Sequence, residues 1–199
     1  MEKKHKFKIG SHNSMTYLPP KKWYMYPFKF VAKCQSSTIE EQYEKYSIRM
    51  FDIRISFDKK TGKPEFRHGL ISYKGNVDKV FEYLNSKGKV YVRLILEEYK
   101  EDKTRLQEDK FYLYCIKWEK KYPNIKFFGG IRKRDWKEIY HFKYNPRYED
   151  KYSSNNKNGT TGTIMDDWFP WLYARFNNKK NIKKGTDKPW LLIDFVNIR

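Results

Sequence analysis

Cysteine is scarce in this chain. Cys34 and Cys115 stand alone, without C-x-x-C spacing, so neither a zinc site nor a disulfide scaffold is indicated. No apolar run reaches the roughly 20 residues that a membrane-spanning helix needs. Behind Met1 the sequence EKKHKFK leads into polar residues, not into a signal-peptide hydrophobic segment. The expectation is therefore a protein of the cell interior, or a secreted form without its leader. Histidine is limited to His5, His12, His68 and His141. Acidic residues are also few, 24 against 43 lysines and arginines, for a formal charge of +19. Such an excess concerns partners more than fold and suits nucleic acid, an anionic membrane or a phosphate-bearing substrate. The lysines are spread along the whole chain, however, and a lysine-rich genome would produce the same bias.

Aromatic residues, by contrast, make up 19% of the chain. Its 199 residues suit one domain, 1–199, with a sizeable core. Strand-like runs recur at 6–11, 50–57, 90–97, 125–130 and 189–196. Between them lie helical patterns. Ser37 with Glu40 reads as a capping box ahead of EEQYEKY. Asn76 precedes Val77, Val80, Phe81 and Leu84 at helical spacing, and Gly88 is placed to close that helix. Further helices are expected over 104–121 and 166–176, and a flexible stretch over 153–162. Strands alternating with helices predict a parallel α/β sheet.

Histidine gives and takes protons near neutral pH. His12 follows the first strand in I-G-S-H-N-S, and His68 stands in F-R-H-G. In α/β folds, side chains converge on substrates at the C-terminal ends of strands. Alternation along M-F-D-I-R-I places Asp52 and Arg54 on one strand face, with Phe51, Ile53 and Ile55 on the other. Buried charges of that kind need charged partners, and an arginine fork matches a phosphodiester. Asp194 interrupts the apolar run WLLIDFV, so it calls for a cation or an imidazole N–H. Two histidines, an arginine and orienting carboxylates are the parts required for in-line phosphodiester cleavage.

The ordered set S-H-N-S, I-E-E-Q-Y at 39–43, R-M-F-D-I-R and R-H-G resembles the X region of phosphatidylinositol-specific phospholipases C over about residues 8–100. Asp150–Lys151–Tyr152 and WLLIDFVN at 190–197 are similar to the bacterial branch. The resemblance implies a compact, distorted or incomplete (βα)8 barrel and cleavage of phosphatidylinositol to diacylglycerol and inositol 1,2-cyclic phosphate. By it, His12 is the general base, oriented by Asp194, and His68 the general acid. Arg54 contacts the phosphate and Asp52 helps hold the site. Asn13, Glu97, Arg132, Asp150 and Tyr152 fall at substrate-binding positions, with Tyr152 stacking on the inositol ring.

Two positions depart from the bacterial pattern toward the calcium-dependent branch: Asn13 replaces an aspartate and Glu97 a lysine. Arg54, though, stands where calcium enzymes carry a second acidic ligand. A guanidinium there repels the cation and can neutralise the phosphate itself, so no metal or other cofactor is expected. The expected partner is an anionic lipid surface, met peripherally through Lys21, Lys22, Trp23, Tyr24, Tyr26 and Phe28. The chain is expected to be a monomer with no obligatory nucleic acid. Two rival readings are a glycerophosphodiester phosphodiesterase and a non-catalytic basic module that binds lipid or nucleic acid.

Overall fold

The computed structural model describes residues 7–97, 105–131, 152–154, 169–186 and 189–199, and of 105, 106, 131 and 152–154 the backbone alone. Six strands run parallel, five of them on the expected apolar runs and one over Tyr152–Ser154, which makes strand of the start of the stretch expected to be flexible. They are β1 (Lys8–Ser11), β2 (Met50–Phe57), β5 (Val90–Leu96), β6 (Ile125–Ile131), β7 (Tyr152–Ser154) and β8 (Trp190–Ile193), lying in the order β6-β5-β2-β1-β8-β7. Two more strands, β3 (Pro64–His68) and β4 (Ile71–Ser72), form an antiparallel extension from the C-terminal half of β2. Among the described residues the helices are α1 (Lys29–Ala32), α2 (Ile39–Glu44), α3 (Val77–Ser86), α4 (Arg105–Lys121) and α5 (Pro170–Lys184), with a 3-10 helix over Trp23–Phe28.

This is not the (βα)8 barrel that the resemblance implies. The described sheet is mixed and open, with no pairing between β6 and β7, and five helices of the described residues accompany it. The departure begins after β2. There the chain turns back on itself through β3 and β4 before α3 carries it to β5, so one crossover holds a hairpin where a repeated strand–helix unit would stand. The hairpin was not anticipated because its strands are short and half exposed.

Helix starts follow local chemistry. Asn76 caps α3, its side chain accepting from the Lys79 amide at 3.1 Å, and Gly88 takes the expected positive φ of 89° after the helix. The capping box of α2 lies one residue beyond the expected pair: Thr38 and Glu41 exchange the two bonds. Helix α5 starts later than expected, at Pro170, and runs on to Lys184. Among the described residues, no helix is long and apolar enough to cross a membrane.

Strand alternation separates two environments. Phe51, Ile53, Ile55, Val92, Leu94 and Phe127 join Phe81, Phe111 and Trp118 of the helices in the main core. The opposite face begins with a small apolar cluster of Met50, Phe128, Trp190 and Leu192. Gly10 lies there because a Cβ would come within 2.6 Å of Leu192 and 2.9 Å of Met50. Toward the strands' C-terminal ends this face changes from apolar to charged. Asp52 lies in register with Arg93, and Ser11 with both Phe51 and Ile193. The residues that follow Ser11 and Ile193, namely His12 and Asp194, therefore leave the sheet side by side.

Phe81 is fully buried, its ring edge-on to Trp118, Tyr122 and Phe127 at 5.0–5.8 Å. Phe81→Ala should lower unfolding stability by about 3–5 kcal/mol in urea titrations. Trp23→Ala, at a side chain 82% exposed, should stay within about 0.5 kcal/mol of the parent. Equal effects would contradict this division between core and surface.

Candidate active site

The site grows from the charged end of the inner face. Asp52 is completely buried and accepts from Arg93 Nη1 at 2.9 Å, from the Asn13 amide at 3.1 Å and from Arg54 Nε at 3.4 Å. Burial works against its charge, but Arg93 and Arg54, with His12, outweigh it and hold the carboxyl well below the usual range. Arg54 Nη1 donates to Glu97 Oε2 at 3.2 Å, and Glu97 Oε1 accepts from the Gly69 amide at 3.1 Å. Burial opposes the guanidinium charge as well, and Asp52 and Glu97 more than restore it. The buried Asp52 and Arg54 of β2 are thus met from the neighbouring strand, by Arg93 of β5 and by Glu97 just beyond it.

His12 is oriented from behind. Its Nδ1 donates to Asp194 Oδ1 at 2.8 Å, which leaves the Nε2 lone pair to accept from Arg54 Nη2 at 3.0 Å. His68, at the end of β3, donates from Nδ1 to the Ala32 carbonyl at 3.0 Å. Its Nε2 lies 3.2 Å from the Asn13 amide nitrogen, which is also 3.4 Å from His12 Nε2. One amide thus bridges the two imidazoles, with Arg54 against one of them. Asn13 reaches this position in the left-handed conformation, φ 44°, its main chain held by Asp52. Burial, then the Arg54 charge, lower the His68 pKa to about 4, so His68 is neutral at pH 7 in the free protein. Burial and Asp194 push the Cys34 thiol well above its ordinary value. A small cleft bounded by Asn13, Met15, Thr16, Arg54, Phe66, Arg67 and Tyr73 opens beside the pair.

Sequence reasoning passed over the residues that hold this geometry. Gln35 donates from Nε2 to the carbonyls of His12 and Ile193, both at 2.9 Å, and its Oε1 accepts from the Val196 amide at 3.1 Å. Asn178 of α5 donates to the Asp194 carbonyl at 2.8 Å. Arg93 was overlooked too, although its place in the otherwise apolar VYVRLIL carries the same signal as Arg54 in MFDIRISF. Gln35 and Asn178 lie in a loop and a polar helix and offered no signal.

The structure brings together His12, Asn13, Asp52, Arg54, His68, Glu97 and Asp194. It does not bring Tyr152 to them by its backbone. Tyr152 is in register with Trp190, four residues before Asp194, or roughly 13 Å lower along the strand. Arg132 and Asp150 lie outside the described residues, as do 155–162 of the stretch expected to be flexible. Comparison of the chain with family models, with curated proteins and with solved structures gives no match.

The depressed His68 pKa has a consequence for stability. The unfolded chain binds this proton near pH 6.5 and the folded one only near pH 4, so the unfolded state holds more protons between those values. Stability is then fully present above about pH 6.5 and declines as pH falls toward 4, by on the order of 3 kcal/mol from this group. Urea unfolding of the parent and of His68→Gln at pH 7 and at pH 4 should show a smaller acid loss in the variant. Equal losses would disprove the neutral state of half-buried His68.

Proposed function

We propose that this protein is a metal-independent phosphodiesterase of the phosphatidylinositol-specific phospholipase C type. The observation that carries the reading is the convergence of His12 Nε2 and His68 Nε2 on the Asn13 amide, with Arg54 Nη2 at 3.0 Å from His12 and Asp194 behind it. His12 Nε2, a lone pair in the tautomer that Asp194 selects, takes the proton of the inositol 2-hydroxyl. That oxygen attacks phosphorus, and the bond to the diacylglycerol oxygen breaks. His68 Nε2–H gives the leaving oxygen its proton, and inositol 1,2-cyclic phosphate forms. Arg54 turns from His12 to the phosphoryl oxygens, where charge accumulates in the transition state.

His68 must carry a proton to act as the acid, yet the free protein holds it neutral at pH 7. A bound phosphodiester anion supplies the counter-charge: it offsets Arg54, which depresses His68, and favours the imidazolium. The alkaline limb of kcat should therefore lie at higher pH than that of kcat/KM, because the former reports the complex and the latter the free protein. Coincident limbs would take the acid role away from His68.

Calcium is disfavoured by occupancy. Asp52 and Glu97, the carboxylates that a cation would need, both bind Arg54. At about 4 Å the repulsion between an ion and this arginine is several kcal/mol even at an effective dielectric near 20. The same pairing argues against a glycerophosphodiester hydrolase built on an acidic metal cluster. In phosphorus NMR with phosphatidylinositol, the cyclic phosphate signal should survive EDTA. His12→Ala and His68→Ala should each lower turnover by about 10²–10⁴. Activity that vanished with chelator and returned with calcium would refute the metal-independent mechanism. Folded protein that bound vesicles without turning them over would be a basic lipid-binding module.

The surroundings of the site suit an anionic interface. The connection that carries the 3-10 helix is tied to the β3–β4 hairpin through Lys21 N to Ser72 O at 2.7 Å and Lys74 N to Pro19 O at 2.9 Å. Trp23, Tyr24, Tyr26, Phe28 and Phe30 are thereby exposed on the segment whose Ala32 holds His68, and Leu70 is exposed two residues past His68. Lys22, Lys29 and Lys33 are interspersed among them. Trp23→Ala combined with Phe28→Ala should weaken binding to anionic vesicles, and rising salt should weaken it further. Equal binding to neutral vesicles across a salt series would eliminate the electrostatic part.

A further inference from the structure

The proposed reaction makes no use of Cys34, although its thiol lies inside the site. One ligand atom each of His12, Cys34 and Asp194 falls within 4.8 Å of the others. The three residues come from separate stretches and are locked together by main-chain bonds. Phe195 N donates to Cys34 O at 2.6 Å, His12 N to Ile193 O at 3.0 Å, and the Gln35 side chain links His12, Ile193 and Val196. Outer hydrogen bonds of this kind keep metal ligands in place.

A second observation points to a ligand here. Asn13 is buried, its Nδ2 lies 3.4 Å from Cys34 Sγ, and its Oδ1 is a buried acceptor to which no group among the described residues donates. Nitrogen, sulfur and a single carboxylate make a poor set for calcium, which wants six or more oxygens, and a good one for zinc. The charges agree: a thiolate and a carboxylate neutralise a divalent ion. Arg54 contacts the imidazole at Nε2, on the opposite side from Asp194.

We propose that His12, Cys34 and Asp194 form a zinc site that switches the histidine pair off. Zinc takes the place of the proton between His12 Nδ1 and Asp194 Oδ1 and binds the Cys34 thiolate, with water as a fourth ligand. The thiol proton leaves to solvent. The Nδ1 proton is replaced by one on Nε2, so the imidazole stays neutral in its other tautomer and one proton is released per ion. The nitrogen that accepted from Arg54 then carries a hydrogen and can no longer take the substrate's proton. Inhibition rests on the reading of His12 as the base; zinc binding does not.

Cobalt(II), added to the full chain freed of metal, tests the site directly. A thiolate-to-cobalt charge-transfer band should appear, be displaced by zinc, persist in Cys115→Ser and vanish in Cys34→Ser. Competition with a chromophoric chelator should show zinc affinity lowered by at least ~100-fold in Cys34→Ser and in Asp194→Asn, the upper end of what losing a mere orienting neighbour costs. Cys34→Ala, with circular dichroism on each variant, separates ligand loss from misfolding. A weakly buffered zinc titration should release one proton. Absence of the band in the parent protein, or its persistence in folded Cys34→Ser and Cys34→Ala, would overturn the proposal. If the band behaves as expected and the metal-free protein leaves phosphatidylinositol intact, the site stands and the phospholipase reading falls. If both hold, zinc should inhibit cleavage reversibly.

Discussion

The buried alternation Arg93–Asp52–Arg54–Glu97 is the interaction on which the rest of this structure depends. Two adjacent parallel strands place these groups on one face, where solvent cannot neutralise them. Desolvation of each charge costs several kcal/mol unless opposite charge and hydrogen bonds meet it. Here they do: Asp52 accepts from both arginines, and Arg54 spans both carboxylates. Removing one partner leaves another uncompensated, so the network favours the register that sets Asp52 opposite Arg93. It also holds the Asn13 main chain in its left-handed conformation through Asp52.

From β2 the geometry extends across the sheet through β1 to β8. Strand β8 lies beside β1, and Asp194 reaches His12 from 182 residues away. Gln35 spans this seam with three hydrogen bonds, and Asn178 secures the carbonyl behind Asp194. His12 therefore has its ring orientation from one strand, its main-chain position from a second and the partner of its lone pair from a third. His68 arrives by a different route, on the antiparallel hairpin, and is held by Ala32 from the long connection after β1. Neutral His68 and paired Arg54 describe a site at rest. An arriving anion has charge to offer both.

That long connection joins chemistry to surface. Its tether to the hairpin places exposed aromatics and lysines on the segment that holds His68. A lipid phosphate presented at an interface would meet the cations and the interfacial rings before the imidazoles. The conspicuous net charge of +19 is thus informative only locally; most lysines of the described residues lie away from the site.

Much of this was legible in the residues. The apolar runs marked β1, β2, β5, β6 and β8, since a parallel strand covered on both faces reads as a continuous hydrophobic stretch. Charged residues within such runs marked Asp52, Arg54 and Asp194, because burial makes them costly without partners. Asn76 and Gly88 marked the ends of α3, whose signals are local. The sequence could not reveal whether the sheet closes, because that depends on how many crossovers return a parallel strand. The β3–β4 hairpin instead of a further strand–helix unit is settled by tertiary pairing. Nor could it show that Arg54 rests on His12, that Asn13 bridges the imidazoles, or that Cys34 and Gln35 lie behind them. Those contacts join residues 21 to 158 positions apart. The sequence by itself determined which side chains must be buried with charge; only the tertiary structure decided which charges and lone pairs meet, because register and topology, not spacing along the chain, bring them within hydrogen-bond reach.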